Sequence, residues 1–313
     1  MKLKKDLLGI EELSAEEIDY ILKNAETMRH IITQPNKKTP HLQGKSIVTL
    51  FYENSTRTRL SFELAAKYMS AAAANISASG SSVAKGENLL DTARTINRMG
   101  TDVLIIRHPI AGAPHLVAKN ISAAVINAGD GMHEHPTQAL LDMFTIKQHF
   151  GKIDGLKVAI IGDIAHSRVA RSNIWGLTKM GAEVALGAPL TLMPKDIAGM
   201  GARVCKTVDE AIEGADAVMC LRMQLERQKS ALFSTAAEYF EFFGVDKKRL
   251  SLAKKDALIL HPGPVNRGIE LSSYVADSEN SVIDEQVENG VAVRMALLYL
   301  LTRSRDTING VRE

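Results

Sequence analysis

The chain has 313 residues, with 38 Lys and Arg against 36 Asp and Glu, for a net charge of +2. At about 150 residues per domain, this length suggests two domains. A chain 45% hydrophobic and 24% charged has a soluble globular composition rather than a disordered one. Near-neutrality, with eight Phe, six Tyr and one Trp, argues against a nucleic-acid binder, which needs many phosphate-neutralising cations and stacking aromatics.

Two cysteines, Cys205 and Cys220, cannot form a disulfide framework, and neither has a C-x-x-C partner; both read as buried free thiols. Asp6, Glu11 and Glu12 interrupt any signal-peptide core after the basic start. No apolar run approaches the length of about 20 residues that spans a bilayer. These features predict a cytoplasmic protein with neither a membrane nor a nucleic-acid partner.

In chain order, Ser14-Ala-Glu-Glu17 is a capping box that starts a helix with Ile18, Ile21 and Leu22 on one side. Residues 46–51 form a β-branched strand. A helix over 56–69 carries Leu60, Glu63, Leu64, Lys67 and Tyr68 at helical spacings. Ala71–Ala74 and Ser77–Ser82 read as a small-residue loop. A helix over 88–98, strands at 102–106 and 125–127, and a helix from Ala139 follow. Gly151–Gly155 is turn-rich and marks the domain junction. Beyond it come strand 157–161, helix 168–180, strand 182–186, helix 207–213, strands 216–221 and 257–260, and a late helical stretch through Val282–Val287 and Val291–Leu301. Residues 228–244 lack a clear period and read as a long loop over a site. Strands spaced by helices predict an α/β protein of two doubly wound parallel-sheet domains joined by helices. The expected divisions are 1–148, 149–286, and a C-terminal helix, 287–313, that packs back on the first domain.

Ser55-Thr-Arg-Thr-Arg59 sits where a strand ends and a helix begins, the place a doubly wound sheet offers a ligand. The hydroxyls of Ser55, Thr56 and Thr58, the N–H groups of a helix start and the Arg57 fork suit an anion with several oxygens. A capped helix with solvated arginines is the plainer alternative, but five consecutive polar residues of phosphate-binding type favour function.

Ser55-Thr-Arg-Thr-Arg59 followed by Ser-Phe-Glu resembles the carbamoyl-phosphate signature of the aspartate and ornithine carbamoyltransferases. Ser81–Glu87, Arg107-His-Pro109, His135-Pro-Thr-Gln138 and His261-Pro-Gly-Pro264 appear in that family's order and spacing. The resemblance covers nearly the whole chain. It implies that 1–148 binds carbamoyl phosphate and 149–286 the amino-acid acceptor. Ser55, Thr56, Arg57, Ser81 and Lys85 would hold the phosphate. Thr58, Arg107 and His135 would surround the carbonyl oxygen. Gln138 and a carbonyl of the loop at Pro262, Gly263 and Pro264 would hold the carbamoyl NH₂. Gly263 stands where some members have Leu, and it preserves a backbone contact with more local freedom.

The acceptor is set by His166–Asn173 and Leu221–Arg227, both at strand ends, which resemble the segments of the aspartate-using branch. Two carboxylates want two cations, and Arg168 and Arg222 are the candidates, with Gln224 beside them and Lys85, Pro262 and Gly263 contributing. The implied reaction converts carbamoyl phosphate and L-aspartate to N-carbamoyl-L-aspartate and phosphate, an early step of de novo pyrimidine (UMP) biosynthesis. The resemblance implies that Arg57, Thr58, Lys85, Arg107 and His135 would carry the catalysis, with no covalent intermediate, cofactor or metal. In the family the loop with Ser81 and Lys85 enters a neighbouring subunit's site, which implies a homotrimer with shared sites. Val265–Glu270 resembles the branch often found with dihydroorotase; regulatory chains are the other conceivable partners.

Other readings are weaker. An ornithine enzyme would show an Asn-Asn or His-Cys-Leu-Pro motif, which this chain lacks. An NAD-dependent oxidoreductase would continue the strand–glycine start at Gly162 as G-x-G-x-x-G, but Asp-Ile-Ala-His-Ser follows. A non-enzymatic scaffold need not retain every motif. His133 and His135 have no Cys and no third ligand in view, which disfavours a metal; His41 and His149 match no motif. Arg57, Lys85, Arg107, Arg168 and Arg222 would focus positive charge that the net +2 conceals.

Overall fold

The computed structural model describes residues 3–77, 86–223 and 235–308. The chain forms two compact units: Met1–Leu141 with Val287–Glu313, and Asp142–Gln286.

The first unit begins with α1 (Ala15–Ile32), whose Ser14 hydroxyl accepts from the Glu17 N–H while the Glu17 carboxylate accepts from the Ser14 N–H. Next come β1 (Ser46–Phe51), α2 (Thr56–Tyr68), β2 (Ala72–Ser77), α3 (Leu89–Arg98), β3 (Val103–His108), α4 (Ala113–Ala118), β4 (Ala124–Asp130) and the start of α5 (Pro136–Phe150). The strands pair in parallel in the order β2-β1-β3-β4. Helices on both faces require apolar residues throughout a central strand; accordingly Val103–Ile106 of β3 are buried, and β4, at the end of the four-strand order, is buried as well.

Two expectations change here. β2 replaces the expected small-residue loop: Ser46 to Phe51 pair in register with Ala72 to Ser77. Its alanines carry neither β-branched bulk nor alternation, so pairing rather than propensity makes the strand. The α2 residues chosen by helical spacing lie on its outer side, with Leu60 exposed, while Thr58, Ser61, Phe62, Ala65 and Ala66 are buried.

The N-terminal segment extends the sheet at β4. Leu7 bridges Ile126 in parallel, donating to Val125 O and accepting from Asn127 N, both at 2.9 Å. The segment then reaches Glu134, a buried carboxylate that accepts from Ile10 N at 2.7 Å and Glu11 N at 3.1 Å. One side chain thus ties the chain's start to the turn after β4. α11 (Ile283–Ile308) joins this unit from Val287 onward, where Arg29 donates to Asn289 at 2.7 Å, Lys45 pairs with Asp306 at 2.7 Å, and Arg305 pairs with Asp102.

The second unit contains β5 (Lys157–Ile161), α6 (Arg168–Lys179), β6 (Glu183–Gly187), β7 (Arg203–Val204), α7 (Val208–Ile212), β8 (Ala217–Cys220), α8 (Ala236–Phe243), α9 (Lys247–Leu250), β9 (Leu258–Leu260) and α10 (Ser273–Ala276). Its sheet is parallel in the order β7-β6-β5-β8-β9. Part of the expected loop at 228–244 is the helix α8, whose Tyr239 is buried beside Leu192 and Met223. Residues 224–234 lie outside the described residues. Cys205 and Cys220 are buried free thiols, and burial pushes the Cys220 thiol far up.

A buried polar chain holds this unit together. Asp142 accepts from Asn173 of α6 at 2.8 Å and from Gln286 at 2.7 Å. Gln286 accepts from the His261 N–H at 2.9 Å, and His261 Nε2 lies 3.1 Å from Glu270. Buried polar groups must be satisfied in this way, because an unmet one costs about 1–3 kcal/mol.

Glu134→Ala removes the acceptor of two backbone N–H groups and opens a void under the N-terminal segment. It is expected to lower unfolding stability by about 2–4 kcal/mol; urea titration would show a reduced midpoint at unchanged slope, and an unchanged midpoint would contradict the tie.

Candidate active site

In a parallel sheet a ligand crevice opens at the carboxyl ends of two neighbouring strands whose connections leave in opposite directions. In the first unit those strands are β1 and β3. The chain passes from β1 outward to β2 on one side, then returns to β3 on the other.

Ser55, Thr56, Arg57, Thr58 and Arg107 lie at this end of the sheet. Ser55 is the N-cap residue of α2 but makes no side-chain cap hydrogen bond, unlike Ser14, Asn88 and Ser167, which cap their own helices. Its hydroxyl instead accepts from Arg107 Nη1 at 3.4 Å. Arg107, the penultimate residue of β3, lies opposite Phe51, and its backbone carbonyl accepts from Tyr52 N at 2.9 Å. Glu53 pairs with Arg107 Nε at 3.2 Å and so fixes the plane of the guanidinium. Thr56 and Arg57 are exposed on the first turn of α2, and Thr58 is buried below them. A helix start with hydroxyls and two guanidiniums is a site for a multi-oxygen anion.

His135 lies at the start of α5, where its carbonyl accepts from Gln138 N at 3.0 Å; both side chains are more than nine-tenths buried. The turn before it is organised by Asp130, which is fully buried. Asp130 accepts from Asn127 Nδ2 (2.8 Å), Gly112 N (2.8 Å), Glu134 N (3.1 Å) and His133 Nδ1 (3.0 Å). Burial alone would raise the Asp130 carboxyl, but hydrogen bonds from His133, Asn127 and Gly112 outweigh it and hold the carboxyl below its ordinary range. The same bond raises His133. Asp130 and Glu134 thus fix the backbone that presents His135, a role that sequence reading did not assign to either.

In the second unit the corresponding crevice lies between β5 and β8, where the order reverses again. Gly162, at φ +122°, ends β5; a Cβ there would sit 3.0 Å from the Leu221 carbonyl, so only glycine lets the two strand ends approach. That packing role accounts for the strand–glycine start. Arg168 opens α6 and is buried, so the plain reading of a solvent-exposed ion pair does not apply to it. Arg222 stands two residues beyond the end of β8, after Leu221, and is half-buried.

The segment at Arg222 and the loop His261–Pro264 are held by one buried carboxylate, Glu270. It contacts the His261 ring at 3.1 Å, accepts from the Asn266 N–H, and accepts from Met223 N at 3.4 Å. Gly263 donates to His261 Nδ1 at 2.8 Å and has φ +64°, a conformation natural to glycine; the Gly263–Pro264 peptide is cis. Pro262 and Gly263 are half-buried and Pro264 is exposed. Glu270 and His261 are organising residues that sequence reading left unassigned. The alternation of His261, Gly263 and the acidic Glu270 nine residues beyond His261 was the available signal. Ser81, Lys85 and Gln224 lie outside the described residues.

Residues 5–148 match the family model of the aspartate/ornithine carbamoyltransferase carbamoyl-P binding domain, and residues 154–301 match that of the Asp/Orn binding domain. The aspartate carbamoyltransferase catalytic subunit of Ruminiclostridium cellulolyticum is 69% identical, covering 100% of both chains. That of Acetivibrio thermocellus is 68% identical over 97% of this chain and 98% of its own. Among solved structures, the aspartate transcarbamoylase of Trypanosoma cruzi in complex with N-(phosphonacetyl)-L-aspartic acid aligns with a TM-score of 0.86 and 33% identity, covering 95% of each chain. The ornithine carbamoyltransferase of Pyrococcus furiosus aligns with a TM-score of 0.84 and 31% identity, over 96% of this chain and 98% of that one. With both of its halves matched and these relatives aligned along nearly its full length, the chain belongs to the aspartate/ornithine carbamoyltransferase family.

Proposed function

We propose that the chain is an aspartate carbamoyltransferase: it moves the carbamoyl group of carbamoyl phosphate to the amine of L-aspartate, giving N-carbamoyl-L-aspartate and phosphate, an early step of pyrimidine biosynthesis. The observation that carries this reading is the first crevice, where an uncapped helix start, Ser55-Thr-Arg-Thr58, faces Arg107 across 3.4 Å. The high identity to aspartate carbamoyltransferase catalytic subunits points to aspartate rather than ornithine as the acceptor, and solved relatives hold carbamoyl phosphate and aspartate together.

The aspartate amine attacks the carbamoyl carbon, a C–N bond forms, and the C–O bond to phosphate breaks. Negative charge builds on the carbonyl oxygen and then on the departing phosphate, so positioned cations and donors supply the catalysis. Ser55, Thr56 and Arg57 bind the phosphate. Thr58, Arg107 and His135 donate to the carbonyl oxygen, and Gln138 with the Pro262–Pro264 loop holds the carbamoyl NH₂. Arg168 and Arg222 bind the aspartate carboxylates. The attacking amine loses its proton to the departing phosphate or to solvent, and because the acceptor itself attacks the carbamoyl carbon no covalent enzyme intermediate forms.

Ser81 and Lys85 complete the phosphate site from a neighbouring subunit in a homotrimer, and Gln224 assists at the aspartate. The exposed edge strand Ala72–Ser77, which runs directly into the segment bearing Ser81 and Lys85, supports a subunit contact at that edge. No helix among the described residues is long and apolar enough to cross a membrane, in keeping with a cytoplasmic enzyme. Dihydroorotase or regulatory chains are the partners to examine.

Assayed with carbamoyl phosphate and either amino acid, the protein should release N-carbamoyl-L-aspartate and at least 100-fold less citrulline; the opposite preference would overturn the acceptor assignment. Arg222→Ala should raise the aspartate KM at least tenfold and leave carbamoyl-phosphate binding within about threefold, since the lost charge-assisted bond contributes about 1.5–3 kcal/mol; equal losses for both ligands would place Arg222 elsewhere. Lys85→Ala and Arg57→Ala chains, each inactive alone, should regain part of the activity when mixed through reversible dissociation. No recovery would argue against shared sites.

A further inference from the structure

His133 stands two residues before His135, and its Nδ1 lies 3.0 Å from Asp130 Oδ2. The His115 ring, from α4, lies beside it, edge-on with ring centroids 5.7 Å apart. One nitrogen of each imidazole and one Asp130 oxygen lie within 4.8 Å of one another. The two histidines are half-buried, and Asp130 is fully buried between them. The third ligand that the spacing of His133 and His135 could not supply thus arrives from a helix eighteen residues upstream of His133 in the chain.

The two nitrogens of His115 are in different states. Nε2 lies 3.0 Å from Glu12 Oε1. Nδ1 is shielded from solvent and has no hydrogen-bond partner among the described residues. A carboxylate that takes the proton-bearing nitrogen of an imidazole leaves the lone pair on the other. A buried lone pair with no donor is unfavourable, and a cation is one of the few things that would satisfy it beside a carboxylate. A second group, Glu11, His133 and Glu134, shares His133 with this one; only the first includes the shielded His115 Nδ1.

We propose that His115, His133 and Asp130 bind one divalent transition-metal ion of the Zn²⁺, Co²⁺ or Ni²⁺ class. Two imidazoles and one carboxylate favour such an ion over Mg²⁺ or Ca²⁺, which prefer all-oxygen shells. Bonds of about 2.0–2.2 Å place tetrahedral donor atoms roughly 3.3–3.6 Å apart. The His133–Asp130 separation of 3.0 Å already approaches that spacing, and the His115 nitrogen lies within 4.8 Å of both. The ion replaces the proton shared by His133 and Asp130, which leaves to solvent. Glu12 holds the His115 ring from behind, and water completes the coordination. The ion braces α4 and the end of β4 against the turn that leads into His135, and takes no part in carbamoyl transfer.

The full-length protein, stripped of metal with a chelator, is titrated with Co²⁺ and followed by its visible d–d absorption, and Zn²⁺ is then used to displace it. One Co²⁺ per chain should bind with micromolar or tighter affinity. His115→Gln and His133→Gln, checked for native circular dichroism, should each weaken binding at least tenfold. Glu12→Gln should weaken it less, and provides the reading if a histidine variant fails to fold. The absence of stoichiometric uptake below about 10-micromolar Co²⁺ (on the order of the weakest sensor-type metal sites), or uptake that survives both histidine changes, would overturn the site whether or not the chain transfers carbamoyl groups.

Discussion

A parallel strand cannot turn back on its neighbour; it must leave the sheet over one face and re-enter elsewhere. The rest of this molecule depends on that constraint. Where two adjacent strands send their connections opposite ways, the ends part and the helix starts beside them keep unpaired N–H groups. The chain meets the condition twice, between β1 and β3 and between β5 and β8. At each place the residues just past the strands are those that could hold an anion: Ser55 to Thr58 with Arg107 in one unit, and Arg168 with Arg222 in the other. Net charge is nearly zero because these cations are placed rather than abundant.

Fixing such loops takes buried carboxylates. A buried anion is costly unless every lone pair is met, and here each is surrounded by donors. Asp130 and Glu134 hold the turn before His135; Glu270 holds both the Met223 backbone and the His261 ring; Asp142 joins α5, α6 and the start of α11. None of them needs to touch a substrate. Each turns a loop that would otherwise sample many conformations into one that presents a donor at a fixed place, which is the form catalysis by positioning requires.

The strands with continuous apolar runs, at 47–51, 103–106 and 157–161, were legible in the sequence because burial on both faces leaves a one-dimensional signature. The capping box at Ser14 and the helix starts at Thr56 and Arg168 were legible because their chemistry is local. β2 was not, since four alanines carry no pattern and become a strand only by lying beside β1. Nor was α8, whose aromatic run Tyr239, Phe240, Phe242 and Phe243 suits strand as readily as helix. At the site, residues that would contact the ligand announced themselves by type and by motif resemblance. Those that act through another residue, Glu53, Asp130, Glu134 and Glu270, did not, because a carboxylate in sequence reads the same whether solvated or buried.

α11 bears on the order in which the molecule can be completed. The first 141 residues leave the ribosome long before Val287, yet Arg29, Lys45 and Asp102 find their partners on the helix that begins at Ile283. The second unit, from Asp142 to Gln286, closes its own polar chain only when its last residue, Gln286, arrives. During synthesis the earlier unit therefore waits on the later one, with part of its surface uncovered. A chain interrupted before α11 carries two sheets but lacks the α11 partners of three half-buried charges. Destabilised chains are the ones that proteases remove most readily, so the late helix also makes completeness a condition of persistence.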